Sequence, residues 1–269
     1  MLKKAIVIIV KIIFVIILTV LTQIGGILYL IIEIIFSKKY KKYRIRKYST
    51  FLLVYLISTF IIIPYIAPIF GREKIKNTSY IEACTFFTLL SNRNYVTPDL
   101  NNSLQNIAKK IHQKHNGVKL VYLDANFPFK DGFPLLPHLS HNDGKKVDLS
   151  FIYLNKEGQL TNKKPSIFGY GVFEDPKANE FNQNNLCKKK GYWQYDVTKY
   201  VTFGIVNNQL KLSEKATKDL ILAVVNDKMV GKVFIEPHLK SRLHLKNSKI
   251  RFHGCQAVRH DDHIHLQLK

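Results

Sequence analysis

The sequence predicts an α+β domain preceded by two transmembrane helices. Three observations carry this reading. Two long apolar runs lie before residue 71. Helical and alternating periodicities mix after residue 97. All ten histidines fall beyond residue 70. The near-zero mean hydropathy of −0.05 therefore averages two unlike parts. Residues 1–70 carry ten Lys/Arg and a single acid, Glu33, against 31 Lys/Arg and 18 acids in residues 71–269. The net charge of +22 thus divides into about +9 and +13. Such a chain is not a uniform globule, a disordered acidic tail or a disulfide-dense miniprotein. Three cysteines, Cys84, Cys187 and Cys255, allow at most one pair.

Residues 1–70 read as a membrane anchor, with spans at about 12–36 and 51–70 and a basic loop over 37–50 between them. A bilayer core needs about 20 apolar residues as helix, and both runs reach that length. The first is too long for the hydrophobic region of a cleaved signal peptide, and no small-residue cleavage site follows it. Ser37–Lys47 holds seven cations and no acid, so it is expected on the cytoplasmic side. Lys3, Lys4 and Lys11 oppose that choice, three charges against seven. Residue 71 onward is then extracytoplasmic. The loop's expected partner is the anionic lipid headgroup, not nucleic acid.

Residues 71–97 read as a linker and 98–269 as one domain. Thr97-Pro98-Asp99 is a helix start, and Leu104, Ile107, Ala108 and Ile111 continue at helical spacing to about His115. Val118–Leu123 is a short strand. Asn126–Asn142 is irregular. Val147–Tyr153 alternates, with Val147, Leu149, Phe151 and Tyr153 on one face and Asp148 and Ser150 on the other. Residues 158–192 read as loop. Ser213 caps a helix to about Asn226, and Lys232–Ile235 is a strand ended by Pro237. The chain closes on an alternating strand, His263–Leu268. Cys187 and Cys255 can pair in an oxidising compartment or remain two thiols. Cys84 is expected buried or free.

Two clusters carry chemistry. The first is Pro137-His138-Leu139-Ser140-His141, followed by Gly144 and Asp148. The second is Arg259-His260-Asp261-Asp262-His263-Ile264-His265. On a strand His263 and His265 share one face, and Ile264 and Leu266 point to the core. A His-x-His pair alone is weak, since about 0.4 such pairs arise by chance at this histidine content. A turn at Gly144 followed by a strand brings His141 and Asp148 together. Two histidines and a carboxylate suit Zn²⁺, and three protein ligands with an open position is the catalytic arrangement.

The combined pattern, Ser140-His141-x-x-Gly144-x-x-Val147-Asp148 with His260-Asp261-Asp262-His263-x-His265, resembles the penicillin-insensitive murein endopeptidases. These belong to a wider set of zinc peptidases that includes D-Ala-D-Ala dipeptidases and carboxypeptidases and the Hedgehog signalling fold. His138 occupies the place of a histidine that the endopeptidases carry before the first ligand. Lys232–Lys240 is similar to their strand and helix before the last motif. Lys145 and Lys146 depart from the pattern. The resemblance covers about 98–269 and implies a Hedgehog/D-Ala-D-Ala-peptidase-like fold with a small antiparallel sheet. It implies that His141, Asp148 and His265 bind zinc. It also implies His263 as the catalytic base, His260 as a second active-site histidine, and His138, Ser140 and Asp261 as supporting residues. Asp262 is expected to face away from the site. The activity implied is hydrolysis of peptide cross-links in peptidoglycan through a zinc-activated water. D,D- or L,D-carboxypeptidase or dipeptidase action on stem peptides is the alternative within enzymes. A non-catalytic wall-binding membrane protein is the alternative outside them.

Overall fold

The computed structural model describes residues 2–36 and 42–269; the first part of the basic loop, 37–41, lies outside the described residues. The protein is α+β, with small sheets behind an apolar helical segment. Two helices are long and apolar enough to cross a membrane, α1 (Leu2–Thr22) and α3 (Tyr43–Phe70).

The expected first span of 12–36 is not one helix. The chain breaks at Gln23, whose φ is +67°, and turns back as a separate helix, α2 (Gly25–Ile35). Gly25 and Gly26 permit the turn. A Cβ on Gly26 would lie 2.6 Å from the Val15 carbonyl oxygen, so only glycine lets α2 pack this closely on α1. Apolar character alone did not reveal this, because both arms of the hairpin are equally apolar.

Glu33 of α2 pairs with Lys11 of α1 and with Lys47 of α3, the latter at 2.7 Å. At the other end the Asn92 side-chain amide donates to the Thr22 carbonyl at 3.4 Å and to Thr59 Oγ1 at 3.5 Å. These two levels make α1 and α3 run in the same direction, with α2 antiparallel between them. Pro64 has no N–H to give the Phe60 carbonyl, and α3 passes Ser58–Ile62 as a π turn just before it.

Residues 71–97, expected as a linker, are built into the domain. Glu73–Lys74 pairs with Tyr95–Val96. Ile81–Ala83 is strand β1 at one edge of the main sheet, parallel to β2 (Leu120–Tyr122). Strands of two or three residues show no alternation in sequence, which is why the segment reads as a linker.

The main sheet has six strands and is mixed rather than antiparallel throughout. After β1 and β2 come β3 (Lys146–Ser150), β6 (His263–Leu268), β4 (Val230–Phe234) and β5 (Ile250–Arg251). The four central strands are antiparallel and both edge pairs are parallel. Tyr153–Leu154, Leu160–Thr161 and Lys211–Leu212 form a separate three-stranded sheet.

Two helices cover one face, α4 (Pro98–Lys114) and α5 (Glu214–Val225). Thr97 and Ser213 cap them through Leu100 N–H and Ala216 N–H. Leu104, Ile107 and Ile111 of α4 join Leu220, Ile221 and Val224 of α5 over Val147, Leu149, Ile264 and Leu266. Each such side chain contributes about 1.5–3 kcal/mol by burial. This apolar layer fixes the register of β3 and β6, because a one-residue slip would turn every core residue outward. The opposite face carries Asp148, Ser150, His263 and His265.

Cys187, on a helix within the 158–192 segment (Gln183–Lys189), is disulfide-bonded to Cys255, and Cys84 is free. The bridge closes 68 residues of sequence. On the chain-entropy account it contributes about 4 kcal/mol. Cys255→Ser therefore lowers the urea midpoint followed by circular dichroism; an unchanged midpoint contradicts this.

Candidate metal centre

The register of the sheet builds the site. Across the antiparallel pair β3–β6, His265 lies opposite Asp148 and His263 opposite Ser150. Directly opposed side chains stand about 5 Å apart at Cβ, so His265 and Asp148 must meet. His265 Nδ1 is 2.8 Å from Asp148 Oδ1. His141 enters from the loop before β3, where Gly144 turns the chain at φ +76°. A Cβ there would strike the Arg72 side chain at 2.3 Å, so the turn requires glycine. His141 Nε2 lies 3.0 Å from His265 Nδ1 and 3.2 Å from Asp148 Oδ1.

Three donor atoms thus form a triangle with edges of 2.8–3.2 Å. Tetrahedral ligands at about 2.0–2.1 Å from zinc stand about 3.3 Å apart, so a small expansion admits an ion. Its surroundings suit that use. His141 Nδ1–H donates to the Ala125 carbonyl at 2.8 Å, which leaves Nε2 as the lone-pair atom. Tyr170 Oη donates to Asp148 Oδ2 at 2.8 Å, and Asp124 N–H donates to the Tyr170 oxygen. These bonds hold one carboxylate oxygen and leave Oδ1 toward the imidazoles. Buried nitrogens without partners, His263 Nε2, His265 Nε2 and His138 Nε2, show that the centre's polar capacity exceeds what its own residues satisfy. The donor set fits a metal ion.

Among the described residues, two sets of buried side chains could hold one, and they share Asp148: His141–Asp148–His265 and His138–Asp148–His263. The first is the tighter. In the second, His138 Nδ1 lies 3.3 Å and His263 Nε2 3.7 Å from the carboxylate.

Electrostatics suit cation binding. Burial pushes the Asp148 carboxyl up, but His141, His263 and His138 hold it well below the usual value. Burial pushes His265 down to about 3, despite its bond to Asp148. A deprotonated imidazole beside a carboxylate is the form that ligates. Burial also pushes His260 well down, helped by His263, His265 and His253. His263 moves the other way. Burial lowers it, but Asp148 and Asp262 raise it to about 9.

The expected site residues are distributed around this centre. His260 is buried, with its ring 4.8 Å from His263 and 5.6 Å from His265. Its backbone N–H donates to Glu236, whose carboxyl is raised to about 7 by burial and Asp261. His138 packs on Tyr170 at 4.7 Å. Ser140 lines a cleft of about 280 Å³ with His138, His253, His260 and His265. Asp261 turns aside and pairs with Arg259. Asp262, expected to face away, is buried and bonded to His263 Nδ1, because the strand begins only at His263. It also accepts the Gly171 N–H at 2.6 Å.

Sequence reasoning missed Asp124, Asp262 and Tyr170. Tyr170 lies in the segment read as featureless loop. Its one local signal is the pair of flanking glycines, Gly169 and Gly171, both at φ +79°.

The fold and site define an α+β domain, behind two helices long enough to span a bilayer, with a buried His/Asp cluster able to hold a metal ion. No protein-family model matches the chain, and no curated protein matches it.

Proposed function

We propose that the protein is a membrane-anchored zinc peptidase that cuts peptide cross-links of peptidoglycan, with a domain of the Hedgehog/D-Ala-D-Ala-peptidase type. One observation carries this reading: the convergence of His141, Asp148 and His265 within 3.2 Å, with His263 Nε2 unpartnered beside them. The proposed ligands are His141 Nε2, Asp148 Oδ1 and His265 Nδ1. Held by these three atoms, zinc would supply Lewis acidity that polarises a peptide carbonyl and makes a water acidic near pH 7.

The remaining work falls to the chain. Asp262 fixes the His263 ring through Nδ1, which leaves Nε2 directed to the centre. With a divalent cation held beside it, His263 would be neutral despite Asp148 and Asp262, and its Nε2 would accept a proton from the attacking water and return it to the departing amine. Tyr170 and His138 orient Asp148 from its far oxygen. His260, held neutral by burial, donates or accepts one hydrogen bond to substrate in the cleft. Ser140 offers a hydroxyl at its edge.

The location is also proposed. α1 and α3 cross the cytoplasmic membrane in the same direction and leave the domain outside. The hairpin changes the charge argument in its favour. Lys3 and Lys4 lie at the same end as Arg44, Arg46 and Lys47, so they add to the basic loop rather than oppose it. The Cys187–Cys255 bridge supports an oxidising compartment. α2, with 11 residues, covers about 16 Å of the return between α1 and α3.

The test uses the full chain in detergent with zinc and purified cross-linked muropeptides, read by mass spectrometry. The expected result is conversion of cross-linked dimers to monomers, abolished by chelator. Intact dimers with zinc-loaded protein contradict the reading.

A further inference from the structure

A second cavity, of about 280 Å³, lies between the domain and the end of α1. Its wall is apolar, with Leu21 of α1 and Phe87, Leu123, Leu136, Phe168 and Phe203 of the domain. The cavity and the histidine cleft share Pro137 in their walls. The cavity's polar end carries Asp124 and Tyr170, which reach the metal centre, and Arg93, paired with Asp124 at 2.8 Å.

Two runs of aromatic rings, ending on the adjacent residues Phe86 and Phe87, lie between α3 and this wall. Phe60 of α3 stacks on Phe86 at 5.8 Å. The next residue, Phe87, meets Phe168 edge-on at 5.7 Å, and Phe168 meets Phe203 at 6.0 Å. Phe86 and Phe203 are 64% and 81% exposed, an extent unusual for a surface meant for water. α3 itself continues past the level of the α1–α2 turn, from Thr59 to Phe70, about 16 Å at helical rise. Tyr65 and Ile69 on that stretch are 80% and 81% exposed. An apolar helix surface of this reach beside the domain places the aromatic face at the depth of hydrocarbon.

We propose that the cavity takes a hydrocarbon chain of a bilayer phospholipid, with the face around Phe86, Phe87 and Phe203 seated in the outer leaflet. This rests on α1 and α3 crossing the membrane. Leu21 belongs to α1 and opens the wall toward lipid, and the two ring runs lie between the wall and α3. A lipid chain is therefore the occupant that the surroundings supply. The seat holds the metal cleft at headgroup level, so substrates are those parts of the wall that lie against the membrane.

The full chain is reconstituted in phosphatidylcholine–phosphatidylglycerol vesicles that contain a phospholipid with a photoreactive diazirine on its acyl chain. Adducts are mapped by mass spectrometry. The expected result is labelling of Leu21, Leu123 and Phe168 as well as of outward residues such as Leu52 and Ile61. Leu136→Trp, at a half-exposed wall position, fills the cavity and removes the first group of adducts while keeping the second. Labelling of Leu52 and Ile61 without any adduct in the cavity overturns the lipid seat and leaves the spans intact. Absence of both groups overturns the spans and the seat together. Cavity adducts that persist unchanged in Leu136→Trp protein, with its melting temperature unaltered, also overturn it.

Discussion

Asp148→Ala protein is expected to purify without zinc, where the wild-type chain is expected to carry one equivalent. Asp148 is the shared member of both candidate ligand sets and sits at the middle of the sheet, opposite His265. Its loss removes the anion that touches His138, His141 and His265 together. Outer-shell substitutions at zinc sites cost about 10–100-fold in affinity, so loss of a ligand costs more than about 100-fold. The domain itself should stay folded, since the apolar layer behind β3 is untouched. Metal analysis after dialysis reads the outcome. Retention of one zinc by Asp148→Ala would move the metal elsewhere.

His263→Ala is expected to keep its zinc and lose cleavage. Removal of a general base costs typically 10²- to 10⁴-fold in rate. The variant separates the two ligand sets. If His141, Asp148 and His265 hold the ion, metal content is unchanged and only turnover falls. If His138, Asp148 and His263 hold it, metal and turnover fall together. Asp262→Asn follows the same direction with a smaller loss, because it disturbs the orientation of His263 and leaves Nε2 in place.

The sequence carried much of the site's geometry for a local reason. Period-two alternation in His263–Leu268 places His263 and His265 on one face, and Ile264 and Leu266 are fully buried on the other. The same alternation around Asp148 made β3 legible. What joins the two strands is their register, His265 against Asp148, and no spacing encodes it. Long-range partners were invisible for the same reason. Asp124 and Tyr170 reach Asp148 or its neighbours from separate loops, with separations of 14 and 22 residues to His138 and Asp148. Gly25-Gly26 is the local sign of the break inside the apolar run, and hydropathy does not show it. In a uniformly apolar segment, close helix packing is decided by the missing Cβ and not by hydrophobicity. The strands of 71–97 were too short to show any period.

His141, Asp148 and His265 are the proposed ligands of one zinc ion. Anomalous diffraction at the zinc absorption edge, from crystals of the full chain grown with zinc, tests it directly. One strong peak is expected within about 2.0–2.2 Å of His141 Nε2, Asp148 Oδ1 and His265 Nδ1. A peak on His138 and His263 instead, or no peak in the cluster with zinc present, would contradict it.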